Sequence, residues 1–203
     1  MIGRFAQARS GYELGRRLAS PSQNVSFYAF CLLGLASVAE RSADRVAAAR
    51  YLAEVMALKS SFQSEDNPVL MRRAVIQGKL DLADGKLDEA RRLFDSVLDR
   101  HGKNTVTISA ALGKAEVELV QSDAAAAVAT ARTALGLAQS LQGTSEYSNN
   151  TGLSWLVLGR ALEARGEHAQ AHEAFQAAVN NLSNTVDEDH PQLLQARKLL
   201  ASY

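Results

Sequence analysis

The stretch Trp155-x-x-Leu158-Gly159-x-x-Leu162-x-x-x-Gly166-x-x-x-x-Ala171-x-x-x-Phe175-x-x-Ala178 decides the fold. Trp155, Leu158, Gly159 and Leu162 recur at helical spacing, as do Ala171, Phe175 and Ala178, so each set lies on one stripe of a helix. Gly166 stands between the stripes, where a residue free to adopt positive φ ends a helix. Gly159 and Ala171 are small and let two helices approach closely. The stretch therefore reads as a helical hairpin.

The pattern recurs along the chain. Gly85, Ala90 and Phe94 repeat the spacing of Gly166, Ala171 and Phe175, and so do Gly3, Ala8 and Tyr12. Ala47 with Tyr51 forms a copy without the glycine, and Ala127 with Ala131 a degenerate one. Ala8, Ala47, Ala90, Ala127 and Ala171 lie about 41 residues apart on average. Upstream, Phe30-x-x-Leu33-Gly34 matches Trp155-x-x-Leu158-Gly159, and Gly78 precedes Gly85 as Gly159 precedes Gly166. Leu112, Ala115 and Leu119 keep the apolar face in the copy that lacks a glycine in register. The string Glu65-Asp66-Asn67-Pro68-Val69-Leu70 returns as Glu188-Asp189-His190-Pro191-Gln192-Leu193. Pro21, Pro68 and Pro191 each stand where a helix should begin, with Ser20, Asn67 and His190 or Asp189 as caps.

This arrangement resembles the tetratricopeptide repeat (TPR), whose usual period is about 34 residues. The longer period and the Asp189-His190-Pro191 linker are similar to the variant in kinesin light chains and many bacterial signalling proteins. The resemblance implies an all-α fold: a right-handed superhelical array of antiparallel helix pairs with a concave groove and a C-terminal capping helix. Residues 1–203 then form a single TPR-like domain. Residues 1–20 are the second helix of a truncated repeat. Repeats follow at 21–66, 67–102, 103–146 and 147–189, and 190–203 is the capping helix. The opening half repeat predicts a chain that starts inside a longer array, as the C-terminal part of a larger bacterial signalling or regulatory protein.

Composition agrees with helices. The 35 alanines and 27 leucines, against three prolines, favour helix throughout. No alternating Val, Ile and Thr run reads as a strand. Twenty-two basic residues balance 22 acidic ones, which argues against a dedicated nucleic-acid binder. A hydrophobic content of 47% excludes a disordered chain. One cysteine excludes an intramolecular disulfide framework and a multi-thiolate zinc site. No signal peptide opens the sequence. The longest apolar stretch, Phe27 to Ala39, is too short to span a bilayer. The sequons at Asn24, Asn149 and Asn181 then read as chance matches. The expected location is the cytoplasm, with no membrane contact.

Candidate chemistry is sparse. His168 and His172 share a helix face, but Ala169 stands where a zincin needs Glu and no third ligand is evident. They read as a solvated face, and no metal or cofactor is expected. Cys31 has no basic neighbour in sequence to activate it. Asp187-Glu188-Asp189 favours the start of the next helix through its dipole. Lys86 to Arg92 carries mixed charges of a solvated face. No phosphate loop, nucleophile elbow or paired-carboxylate constellation is present, so no enzyme activity is expected.

The resemblance places the functional surface in the groove, on the first helix of each repeat. Carried over residue by residue, it gives Tyr28, Cys31, Leu35 and Val38, then Arg72, Val75, Lys79 and Leu82. The third repeat gives Gly113, Val117 and Val120, and the last gives Leu153, Leu156, Arg160 and Glu163. The expected function is a non-enzymatic protein–protein interaction scaffold. It would bind an apolar peptide or helix with an acidic feature, from a partner or from its own chain. The alternatives are a structural spacer, a homodimerisation module, or a metal-dependent enzyme at His168 and His172.

Overall fold

The computed structural model describes residues 2–62, 64, 66–100 and 102–203. Glu65, part of the repeated Glu-Asp string, lies outside them. Ten α-helices follow one another among the described residues: α1 (Ile2–Leu18), α2 (Pro21–Arg41), α3 (Arg45–Ala57), α4 (Pro68–Ala83) and α5 (Leu87–Leu98). After them come α6 (Thr105–Val120), α7 (Ala124–Gln142), α8 (Asn149–Ala164), α9 (His168–Ser183) and α10 (Pro191–Leu200). No strand occurs among the described residues.

The caps explain where these helices start. Ser20, Asn67, Asn104 and Ser148 each accept a bond from a backbone N–H of the first turn, and Pro21, Pro68 and Pro191 occupy first-turn positions. A capping side chain satisfies donors that the helix cannot. His190 caps α10 by backbone conformation only. Helix α2 leaves the helical path at Asn24, whose carboxamide oxygen accepts from Phe27 N–H at 3.0 Å.

Four turns close the hairpins in one way. Ala43, Gly85, Ser122 and Gly166 have φ of 58°, 76°, 62° and 80°. The N–H of each donates to the carbonyl three residues back, at 3.0 Å in all four. The N–H of the following residue (Asp44, Lys86, Asp123 or Glu167) donates to the carbonyl five residues back at 2.8–2.9 Å. This is the Schellman arrangement. Asp44 and Asp123 then cap the next helix, accepting from Ala47 and Ala126 N–H at 3.0 Å.

These turns set the register and correct the sequence reading. Counted from the left-handed residue, Ala48 rather than Ala47 matches Ala90, Ala127 and Ala171, and all four are fully buried. Leu52, not Tyr51, takes the place of Phe94 and Phe175. Ala36 and Ala115 match Gly78 and Gly159, whereas Gly34 and Gly113 are equivalent to each other. The misreading arose because adjacent small residues offer the same spacing. Alanine and serine also carry no sign in sequence of a left-handed backbone.

The helices pack as two compact units, 1–93 and 94–203. In the first, α2 packs on α1, α3 and α4 around Leu32, Leu35, Ala48, Leu52, Val55 and Ile76. Helix α2 has the length and apolar composition of a membrane span, yet much of it is buried in this core. In the second unit, α6, α7, α8 and α9 pack in sequence, and α10 closes on α9 and α8 through Leu193 and Ala196. Aromatic rings fill the space that glycines leave. A Cβ on Gly34 would meet the Tyr12 ring at 2.5 Å, and one on Gly159 the Phe175 ring at 2.5 Å.

Candidate binding face

The first helices α2, α4, α6 and α8 carry equivalent positions, fixed by counting back from each left-handed residue. Thirteen residues before it stand Phe30, Arg72, Ser109 and Leu153. Six before it stand Ser37, Lys79, Glu116 and Arg160. Phe30 is exposed and the other seven are half-buried. In each unit these positions therefore lie at a surface, anchored by buried neighbours on the same helices.

One contact in each unit shows that equivalent positions on successive first helices meet. In the first unit, the Arg72 guanidinium carbon lies 5.3 Å from the centroid of the Phe30 ring. Tyr12 packs edge-on against the same ring at 6.2 Å. A cation over an aromatic face is attracted by the ring quadrupole. In the second unit, Arg160 Nη1 donates to Glu116 Oε1 at 3.0 Å. The charge differs between the two faces. Arg72 and Lys79 leave the first basic and aromatic, while Arg160 is balanced by Glu116 on the second.

No family model and no curated protein matches the sequence. Solved structures do match in fold. BtubC (BKLC) from P. vanneervenii superposes with a TM-score of 0.72 at 17% identity, over 98% of this chain and 80% of that one. The nearly identical TPR-like repeats of a kinesin-light-chain candidate from Podosopora anserina superpose with a TM-score of 0.62 at 20% identity. That match covers 90% of this chain and 86% of the other. A single-substitution variant of the same protein gives 0.63.

The fold is TPR-like.

Within this TPR-like frame the expected groove residues divide. Arg72, Lys79, Leu153 and Arg160 occupy these positions and are accessible, and Leu82 and Glu163 continue them. Val75 and Leu156 are in register but buried against the core. Cys31, Leu35 and Val117 are out of register and buried, so they do not line a face open to a partner. Gly113 is likewise buried, beneath Phe94. Tyr28 and Val38 are half-buried and Val120 is exposed, all beside these positions rather than at them. The sequence reading missed Phe30, Ser37, Ser109 and Glu116. The signal was Asp44 and Asp123, capping residues that mark the left-handed turns before them.

The other candidates resolve into local contacts. His168 Nδ1 lies 3.2 Å from Glu163 Oε1, while His172 packs edge-on against Tyr203 at 5.3 Å. Tyr203 Oη donates to the same Glu163 carboxylate. No group of three His, Cys, Asp or Glu side chains with metal-site geometry occurs among the described residues. Burial pushes the Cys31 thiol above its ordinary range. Burial lowers the Arg73 guanidinium, partly offset by the nearby Asp81 carboxylate.

Proposed function

We propose that the chain is a non-catalytic protein-interaction module that binds a peptide segment on the paired first helices of its first unit, α2 and α4. TPR-like folds are typically used for protein–protein interaction. The observation that supports this reading is the meeting of equivalent, accessible side chains, Phe30 with Arg72 and Glu116 with Arg160. Such repeated positions present similar side-chain sites at regular intervals, which suits an extended or helical segment. Arg72 and Lys79 favour an acidic residue in that segment, and Phe30 favours an apolar one. The segment belongs to a partner or to the protein's own chain.

Peptide-display selection on the purified chain tests the proposal. The expected winners carry an acidic residue flanked by apolar ones, and they lose binding to the Arg72→Glu/Lys79→Glu variant. Winners that bind wild type and variant alike would remove this face as the site. Self-association is a second reading, favoured by the exposed Leu14, Leu18 and Phe27 on α1 and α2. Sedimentation velocity across a concentration range separates it from a monomeric module.

A further inference from the structure

A cleft of about 460 Å³ opens in the second unit between α6, α7 and the end of α5, with Gly102 and Lys103 also lining it. Its α6 wall, Ala111 and Lys114, lies about half a turn of helix away from Ser109 and Glu116. It is therefore separate from the binding face. The repeat pattern explains why it exists. Eleven residues before the left-handed turn, α8 has Trp155 and α6 has Ala111. Eight before it, α8 has Leu158 and α6 has Lys114. Trp155 and Leu158 both pack into the core of the unit. Replacing them by a small side chain and a flexible cation leaves the hole.

The lining mixes apolar and hydroxyl side chains and carries a lysine at each end. Leu98 and Leu137 provide apolar walls over a floor at Ala111, which is 1% exposed, and Thr107, Thr130 and Thr133 add hydroxyls. Lys114 is ion-paired with Asp95 at 2.6 Å, so its end is balanced. Lys103 lines the other end, where no carboxylate pairs with it among the described residues. Helical rise from Thr107 to Lys114 makes the cleft about 10 Å long. Its volume is within the range of small-molecule sites. We propose that this cleft binds a small amphipathic carboxylate. The hydrocarbon chain would lie over Ala111 and Leu137, and the carboxylate would accept from the Lys103 ammonium.

Isothermal titration calorimetry of the full chain with octanoate and octanol tests this. Octanoate should saturate one site, and octanol should bind about 10-fold more weakly or worse, since it lacks the charge-assisted bond. Lys103→Gln should cost octanoate about the same factor, while Lys86→Gln should cost nothing. Ala111→Trp, which copies Trp155, should abolish binding while circular dichroism stays helical. If that variant does not fold, Ala111→Leu narrows the cleft and should weaken binding. Equal binding of octanol and octanoate, absence of saturation, or unchanged binding by a folded Ala111→Trp variant would overturn the proposal.

Discussion

A Cβ built on Gly113 would stand 2.4 Å from Cζ of Phe94, whose fully buried ring fills the space the glycine leaves. Gly113→Ala should therefore destabilise the chain by about 1–3 kcal/mol through overpacking. Gly136, inside α7, has nothing within 4 Å of its virtual Cβ. Gly136→Ala should instead stabilise by about 0.5–1 kcal/mol, because alanine loses less backbone entropy in a helix. Urea unfolding of the two variants checks the contrast. Adding Phe94→Leu to Gly113→Ala should recover part of the loss.

Ala43 and Ser122 hold left-handed backbones that glycine adopts at no steric cost. That strain is worth about 1–2 kcal/mol, against about 0.5–1 kcal/mol for the extra entropy glycine loses on folding. Ala43→Gly and Ser122→Gly should each stabilise by up to about 1 kcal/mol. Gly166→Ala should destabilise for the same reason. Equal unfolding midpoints across the three variants would refute the shared turn geometry.

Ala171 is fully buried on α9, whereas Ala169 is exposed. Ala171→Trp should cost about 1–3 kcal/mol or more, since the hairpin has no room for the ring. Ala169→Trp should stay within about 0.5 kcal/mol of wild type, as surface substitutions usually do. Thermal unfolding distinguishes them, and similar melting temperatures would contradict the register of α9.

Deleting Pro191–Tyr203 removes α10 from α8 and α9 and uncovers the apolar surface packed under Leu193 and Ala196. An exposed terminal apolar face is what capping elements of repeat proteins prevent. The truncated chain should melt at lower temperature and aggregate by light scattering. A soluble, equally stable truncation would show that α10 is dispensable.

Cys31 is 2% exposed, and its thiol is held neutral by burial. A thiol with a raised pKa in the folded state contributes its stability fully below its unfolded value, near 8.5, and loses it as pH rises further. Between pH 8 and pH 10 the urea midpoint of wild type should fall more than that of Cys31→Ala. Labelling by a thiol reagent at pH 8 should be slow in native buffer and fast in urea. Fast native labelling would place the thiol at the surface.

Much of this molecule is written locally. Prolines at Pro21, Pro68 and Pro191, caps at Ser20 and Asn67, and glycines at Gly85 and Gly166 act within one turn of helix. Reading neighbours in sequence is enough to place them. The 3.6-residue stripes also follow from sequence, because a stripe must be buried wherever it forms. The phase of each stripe does not. A shift of one residue turns a side chain by about 100° round the helix. The run Ala47, Ala48 and Ala49 in α3 gives no reason to prefer one alanine over the next.

Tertiary packing made that choice. Ala43 and Ser122 sit in left-handed turns that their side chains disfavour, and those turns move the register by one or two residues. As a result Cys31, Leu35 and Val117 turn inward, and Phe30, Ser37 and Glu116 turn outward. The cleft beside Ala111 was equally invisible, since a missing side chain becomes a cavity only when its neighbours cannot close over it. The amino-acid sequence by itself determined that the chain forms repeated helical hairpins. Which residues those hairpins bury, and which they offer to a partner, was decided by how the helices pack, because burial is a property of neighbours that sequence spacing does not name.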